Sequence, residues 1–225
     1  MIESILPEGT VAVDTFIDPP GAALFPAEAA LVERAVEKRR LEFTTGRWCA
    51  RRAMAELGRP PAPLLRGDRG QPLWPAGLVG SITHCAGYRG AVVAEDGSYA
   101  TIGIDAEPDE PLPDGVLETV AGPSERARIE TLLRQHPSIR WDRLLFSAKE
   151  SVYKSWFPLT ARWLDFEEAD LVIDPAAGTF SARLSATGGP AGFAGRWTAG
   201  RGLILTAIAV PAHEQPPEGR PGGSP

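Results

Sequence analysis

Apolar and polar positions change period several times along this chain. Residues 26–57 are rich in Ala, Leu, Glu and Arg at helical spacing, and the run is interrupted near 43–46. Two consecutive helices are predicted, the first opened by Pro26 and the second closed by Gly58. The following stretch, GRPPAPLLRGDRGQPLWPAG, is too dense in proline and glycine for regular structure and is read as a shaped loop. Short apolar runs in LVGSITH, YRGAVVAED and YATIGIDAE, each bounded by Gly, Asp or Ser, predict a small meander of strands. In the second half, Leu144, Leu145, Val152 and Trp156 give residues 141–157 a helical period that Pro158 ends, and strands are expected at DLVID, TFSARL, GRWTA and LILTAIAV. Beyond Pro211, proline, glycine and polar residues leave little to pack, so 212–225 is expected to be disordered. No periodic repeat is present. The predicted class is α+β, in two halves, 1–100 and 101–211.

Composition adds limits. With 43% hydrophobic and 23% charged residues the chain can build a core. A formal charge of −6 opposes general affinity for nucleic acid. Two cysteines, Cys49 and Cys85, suffice neither for a disulfide framework nor for a closed zinc site, and a reduced compartment is expected. Neither a leader pattern nor an apolar run of membrane-spanning length is found, which makes the cytoplasm the expected location. Charge is nevertheless uneven. Between Glu33 and Arg52 seven basic residues face three acidic ones, a local +4. Such a run is either a solvated helix face or an anion site.

Two segments carry candidate chemistry. In TIGIDAE, strand alternation puts Ile102, Ile104 and Ala106 on one face and Gly103, Asp105 and Glu107 on the other. Two carboxylates on one face either end a solvated strand or surround a hard cation such as Mg²⁺. In FSAKESVYK, Glu150 and Lys154 are four apart and share a helix face, with Lys149 about 100° around the axis. A solvated pair of this kind is worth only ~0.3–0.5 kcal/mol. Its setting among Phe146, Val152, Tyr153, Trp156 and Phe157 argues for something other than plain surface.

IGIDAE followed some forty residues later by LLFSAKESVYK resembles the signature of the 4′-phosphopantetheinyl transferases, G-[I/V]-D and then [F/W]-[S/C/T]-x-K-E-x-x-x-K. Upstream, WPAGLVGSITH resembles the family block ending in Ser or Thr before His, and EFTTGRWCAR resembles its arginine-containing helix block. The likeness spans roughly residues 38–160 and extends more loosely to 210. It is with the longer, monomeric, Sfp-like and enterobactin-synthetase-component-D-like class, in which two similar α+β halves form a pseudo-dimer in one chain.

That resemblance implies transfer of the 4′-phosphopantetheine arm of coenzyme A to a serine of acyl or peptidyl carrier proteins of fatty-acid, polyketide or non-ribosomal peptide synthases, releasing 3′,5′-ADP. It implies Mg²⁺ held by Asp105, Glu107 and Glu150, with Glu150 or a metal-bound water taking the serine proton. Lys154, and by motif position Lys149, would meet the phosphates. Arg39 and Arg47 fall where the family places phosphate-binding cations, and guanidinium forks suit phosphate oxygens. Arg66, Gly67, Asp68 and Arg69 are implied to line the adenine and 3′-phosphate, and Thr83 and His84 to sit at a phosphate of coenzyme A. Trp48, Trp74, Trp141, Trp156, Trp163 and Trp197 are read as packing. The alternatives are a relative that binds coenzyme A or carriers without transfer, and another Mg²⁺-dependent phosphotransferase. No GxxxxGK[ST] loop supports the latter.

Overall fold

The computed structural model describes residues 1–214. A short helix α1 (Pro26–Ala30) precedes a twenty-residue helix α2 (Glu37–Glu56), which lies on an antiparallel sheet of order β1-β3-β2 formed by Thr10–Thr15, Tyr88–Glu95 and Leu78–Cys85. The face of α2 bearing Cys49, Ala50, Ala53 and Met54 is buried with Leu64, Leu78, Ala91 and Val93. Side chains of this size each contribute on the order of 1.5–3 kcal/mol when fully buried, less for alanine.

The second half is α+β too. Strand β4 (Tyr99–Pro108) is followed by helices α3 (Val116–Val120), α4 (Pro123–Gln135) and α5 (Trp141–Thr160), and then by β5 (Ala169–Asp174), β6 (Thr179–Leu184), β7 (Gly192–Gly200) and β8 (Leu203–Pro211). These strands form an antiparallel sheet of order β4-β8-β7-β6-β5. The first strand therefore pairs with the last, Asp105 opposite Thr206. Ile102, Ile104 and Ala106 enter a core with Tyr88, Val92 and Leu205 between the two halves, while Gly103, Asp105 and Glu107 turn to α5. A Cβ on Gly103 would lie 2.2 Å from Ser151 O and 2.3 Å from Ser155 Oγ, so only glycine lets α5 settle this closely on β4.

The two sheets meet at β2 and β4 through side chains. Ser81 Oγ accepts from Ile104 N at 3.2 Å and Thr83 Oγ1 from Ala106 N at 3.0 Å, hydroxyls standing where ladder carbonyls would. Lys154 Nζ donates to Ile104 O at 3.1 Å. These contacts satisfy buried backbone groups and separate the strands by the length of a side chain.

Several expectations are corrected. The interruption between helices lies at 31–36, not 43–46; α2 runs unbroken past Thr44, Thr45 and Gly46 because its packing on the sheet outweighs their weak helix propensity. Pro158 does not end α5 at Phe157; the helix continues to Thr160, so the one ladder N–H that the proline removes is lost only near the helix end. Strand β1 and helices α3 and α4 were not among the predicted elements. Of the tail read as disordered, 212–214 form a 3-10 turn, and the remainder lies outside the described residues. Among the described residues no helix is long and apolar enough to cross a membrane.

Candidate functional site

The seam between β2 and β4 opens into a cleft of about 540 Å³, floored by the strands and walled by the second half of α5 (Glu150, Tyr153, Lys154, Phe157) and the loop Arg69–Trp74. A smaller hollow of about 120 Å³, lined by Arg39, Phe43, Arg47 and His84, adjoins it, since both touch Gly70, Pro72 and Ile82. The hollow lined by three basic side chains on α2 and β2 therefore joins the cleft that Glu150 and Lys154 of α5 help to wall.

The basic end is ordered by acidic residues that motif matching did not single out. Arg39 Nη1 donates to His84 Nε2 at 2.6 Å, which places the imidazole proton on Nδ1, facing Glu42 Oε2 at 3.6 Å. Burial lowers the His84 pKa, with Arg39 and Lys154 acting in the same direction and Glu42 opposing. Arg47 is 6% exposed, donates through Nε to Leu64 O at 3.0 Å and lies 3.2 Å above the centroid of the Phe43 ring. Burial brings its pKa down to about 10, Arg66, Arg39 and Arg51 adding to that and Glu28 opposing, and it remains a cation at neutral pH. Glu28, fully buried, accepts from both Arg51 Nη1 and Leu64 N, and so ties α1 to α2 and to the loop.

At the other end Asp105, Glu107, Glu150 and Lys154 come together. Lys154 Nζ is 2.7 Å from Asp105 Oδ1, and Thr83 Oγ1 donates to the same oxygen at 3.3 Å. Asp105 Oδ2 is buried with no hydrogen-bond partner among the described residues, in a residue only 5% exposed. Such an orphaned acceptor is costly unless something else meets it. Glu107 accepts from Arg143 at 2.9 Å. For Glu150 no hydrogen bond or ion pair is found among the described residues. Burial raises the pKa of both Glu150 and Glu107, with Asp105 adding to each rise, Lys154 opposing at Glu150 and Arg143 at Glu107. Carboxylates held above their usual range beside one another suit a divalent cation. Among the described residues, however, no set of three or more His, Cys, Asp or Glu side chains converges tightly enough to form a metal cluster by itself. The donors fit a hard cation only as a partial set that a ligand would complete.

Two expected contacts are not brought here. Lys149 is 2% exposed on another face of α5, with Nζ donating to Glu125 Oε2 and Phe166 O, each at 2.8 Å, so it serves the fold and not the phosphates. Thr83, 2% exposed, uses its hydroxyl on Ala106 N and Asp105 and holds the seam. Arg66, Asp68 and Arg69 are exposed on the loop, where Gly70 N bonds Gly67 O at 2.9 Å, and Arg69 reaches over Trp163 at 6.0 Å. Trp163, expected in packing, is 57% exposed beside Tyr153 at the cleft edge.

Comparison with known proteins gives one answer. Residues 27–94 match the model of the 4′-phosphopantetheinyl transferase N-terminal domain, and 101–193 that of the 4′-phosphopantetheinyl transferase superfamily. The chain is similar to 4′-phosphopantetheinyl transferase Svp of Streptomyces mobaraensis, 56% identical over 94% of this chain and 90% of that one. It is similar to PptT of Mycobacterium tuberculosis, 47% identical over 93% and 98% of the two chains. Enterobactin synthase component D of Salmonella typhimurium is 39% identical over 53% of this chain and 49% of its own length.

Proposed function

The chain belongs to the 4′-phosphopantetheinyl transferase superfamily and transfers phosphopantetheine from coenzyme A to carrier proteins, and from that premise we propose how its residues divide the work. The half spanning 1–100 binds the nucleotide end of coenzyme A, and the half spanning 101–211 carries the reacting end. Arg39 and His84 meet the 3′-phosphate, with Arg47 behind them as a fixed cation. Arg66 and Arg69, on the loop that roofs both hollows, add charge at the rim, and the pantetheine arm follows the cleft toward Tyr153 and Phe157.

The carrier serine Oγ attacks the β-phosphorus, its O–P bond forms as the bond from that phosphorus to the bridging oxygen breaks, and 3′,5′-ADP leaves with the bond's electrons. Lys154 compensates charge on the phosphoryl oxygens, and Glu150, kept basic by burial, receives the serine proton. Mg²⁺, held by Asp105, Glu107 and Glu150, would supply further neutralisation of the pyrophosphate. The observation that carries this reading is Asp105 Oδ2, unpartnered among the described residues beside Lys154, which lines a cleft adjoining the hollow of Arg39, Arg47 and His84. A monomer acting in the cytoplasm on carriers of fatty-acid, polyketide or non-ribosomal peptide type completes the proposal.

The test is mass spectrometry of an apo carrier incubated with coenzyme A and Mg²⁺. The unmodified protein adds one phosphopantetheine and releases 3′,5′-ADP, and Glu150→Gln and Lys154→Ala do not. Transfer at the unmodified rate by Glu150→Gln would remove that residue from the mechanism.

A further inference from the structure

We propose that Arg143 is an internal counter-ion that holds Glu107 and makes divalent-cation binding depend on the pyrophosphate of coenzyme A. The inference rests on the reading of Asp105, Glu107 and Glu150 as the carboxylates that face the metal.

Arg143 lies in the first turn of α5, and every nitrogen of its fork has a partner. Nη1 donates to Glu107 Oε2 at 2.9 Å, Nη2 to Pro111 O at 2.8 Å and Nε to Glu110 O at 3.1 Å. The side chain is 15% exposed and that of Glu107 20%. The loop supplying those carbonyls is itself tied to the start of α5, with Leu112 N donating to Asp142 Oδ2 at 2.8 Å and Arg140 N to Asp109 Oδ1 at 3.0 Å. A planar guanidinium anchored on three sides does not swing away to a ligand. Arg143 therefore stays beside Glu107 whether or not substrate is bound.

Charge balance gives the consequence. Asp105, Glu107 and Glu150 face two cations, Lys154 at 2.7 Å from Asp105 and Arg143 at 2.9 Å from Glu107, which leaves one net negative charge for a dication. One of the two Glu107 oxygens is also already engaged. The free protein thus attracts the metal weakly. A bound pyrophosphate adds negative charge and oxygen ligands to the site, and only then does the balance favour a cation that demands octahedral oxygen coordination. By linkage, the metal in turn tightens coenzyme A by the same factor. Arg143 is in this sense a positioning residue. It lowers the metal affinity of the free protein, so that the site fills only when the pyrophosphate adds its own charge and ligands.

The test is Mn²⁺ binding to the whole chain, read from the free-ion paramagnetic resonance signal with and without coenzyme A. The unmodified protein binds Mn²⁺ weakly alone and more tightly with coenzyme A. In Arg143→Gln and Arg143→Ala, affinity without coenzyme A rises about tenfold or more, the result of removing a neighbouring positive charge, so that Mn²⁺ binds before coenzyme A does. Arg143→Lys, which keeps the charge, behaves as the unmodified protein does. Circular dichroism reports the fold, and Arg143→Gln, which retains polar contacts in the same space, carries the test if Arg143→Ala does not fold. Unchanged Mn²⁺ affinity in a folded Arg143→Gln would overturn the proposal. If the unmodified protein binds no Mn²⁺ even with coenzyme A and transfers fully in a chelator, the metal reading itself falls and this inference with it.

Discussion

Glu150 is buried enough that its carboxyl titrates above the ordinary range. A base must be ionised, so kcat/KM should fall with acid through a midpoint above that of a free glutamate, and Glu150→Gln should lose about 10²–10⁴-fold in turnover above that midpoint and less below it. For stability the sign is opposite. A raised folded pKa means that the native state holds the proton more readily than the unfolded chain, so stability declines as pH rises from the usual value through the raised one. Without coenzyme A and metal, Glu150→Gln should therefore melt about 1–3 °C above the unmodified protein at pH 8, with the gap closing in acid, which scanning calorimetry will show. In the basic hollow that adjoins the cleft, Arg39→Ala should weaken coenzyme A by about tenfold or more and 3′-dephospho-coenzyme A much less, as read by titration calorimetry. Equal losses would move Arg39 to the pyrophosphate. At this scale the sequence is informative where partners share one element: strand alternation brings Asp105 and Glu107 together, and helical spacing does so for Glu150 and Lys154. It is silent where a partner comes from elsewhere. Glu107 meets Arg143 across 36 residues, and Lys149 leaves the site because Glu125 of α4 waits for it.

Between elements, the contact of α5 with β4 sets the distance from Asp105 to Lys154. Gly103→Ala would put a methyl against Ser151 O and Ser155 Oγ, and should cost about 1–3 kcal/mol in denaturant unfolding together with most of the transfer activity. Lys149→Met should cost about 3–5 kcal/mol, because it leaves Glu125 charged and 4% exposed, while the affinity of the folded fraction for coenzyme A stays unchanged. A comparable loss of that affinity would return Lys149 to the binding site. Elements with strong periodicity, strands β2 to β8 and α5, follow from the chain's pattern. The rest depends on contacts that lie far apart in sequence. Helix α2 crosses Thr44–Thr45–Gly46 because the sheet supports it, and α4 is fixed by Glu125, whose carboxylate takes Gly122 N at 3.0 Å and Leu171 N at 2.9 Å.

Across the whole molecule, the site exists because two sheets meet without merging. Hydroxyls of Ser81 and Thr83 bridge β2 to β4, and Thr83→Val would strand Ala106 N, costing about 1–3 kcal/mol and loosening Asp105. The pairing of β4 with β8 bears on synthesis. The strand that carries Asp105 and Glu107 is made early, but its ladder partner is Leu203–Pro211, roughly a hundred residues later. A ribosome adds about 5–20 residues per second, so for several seconds the nascent carboxylates wait on an unzipped strand, and the first half can mature well before the second. Closure is slow for a contact so distant along the chain. Ending the chain after Arg201 removes none of the residues assigned to the site, yet such a fragment should bind neither coenzyme A nor Mn²⁺. The enzyme becomes competent only when β8 has been threaded into place.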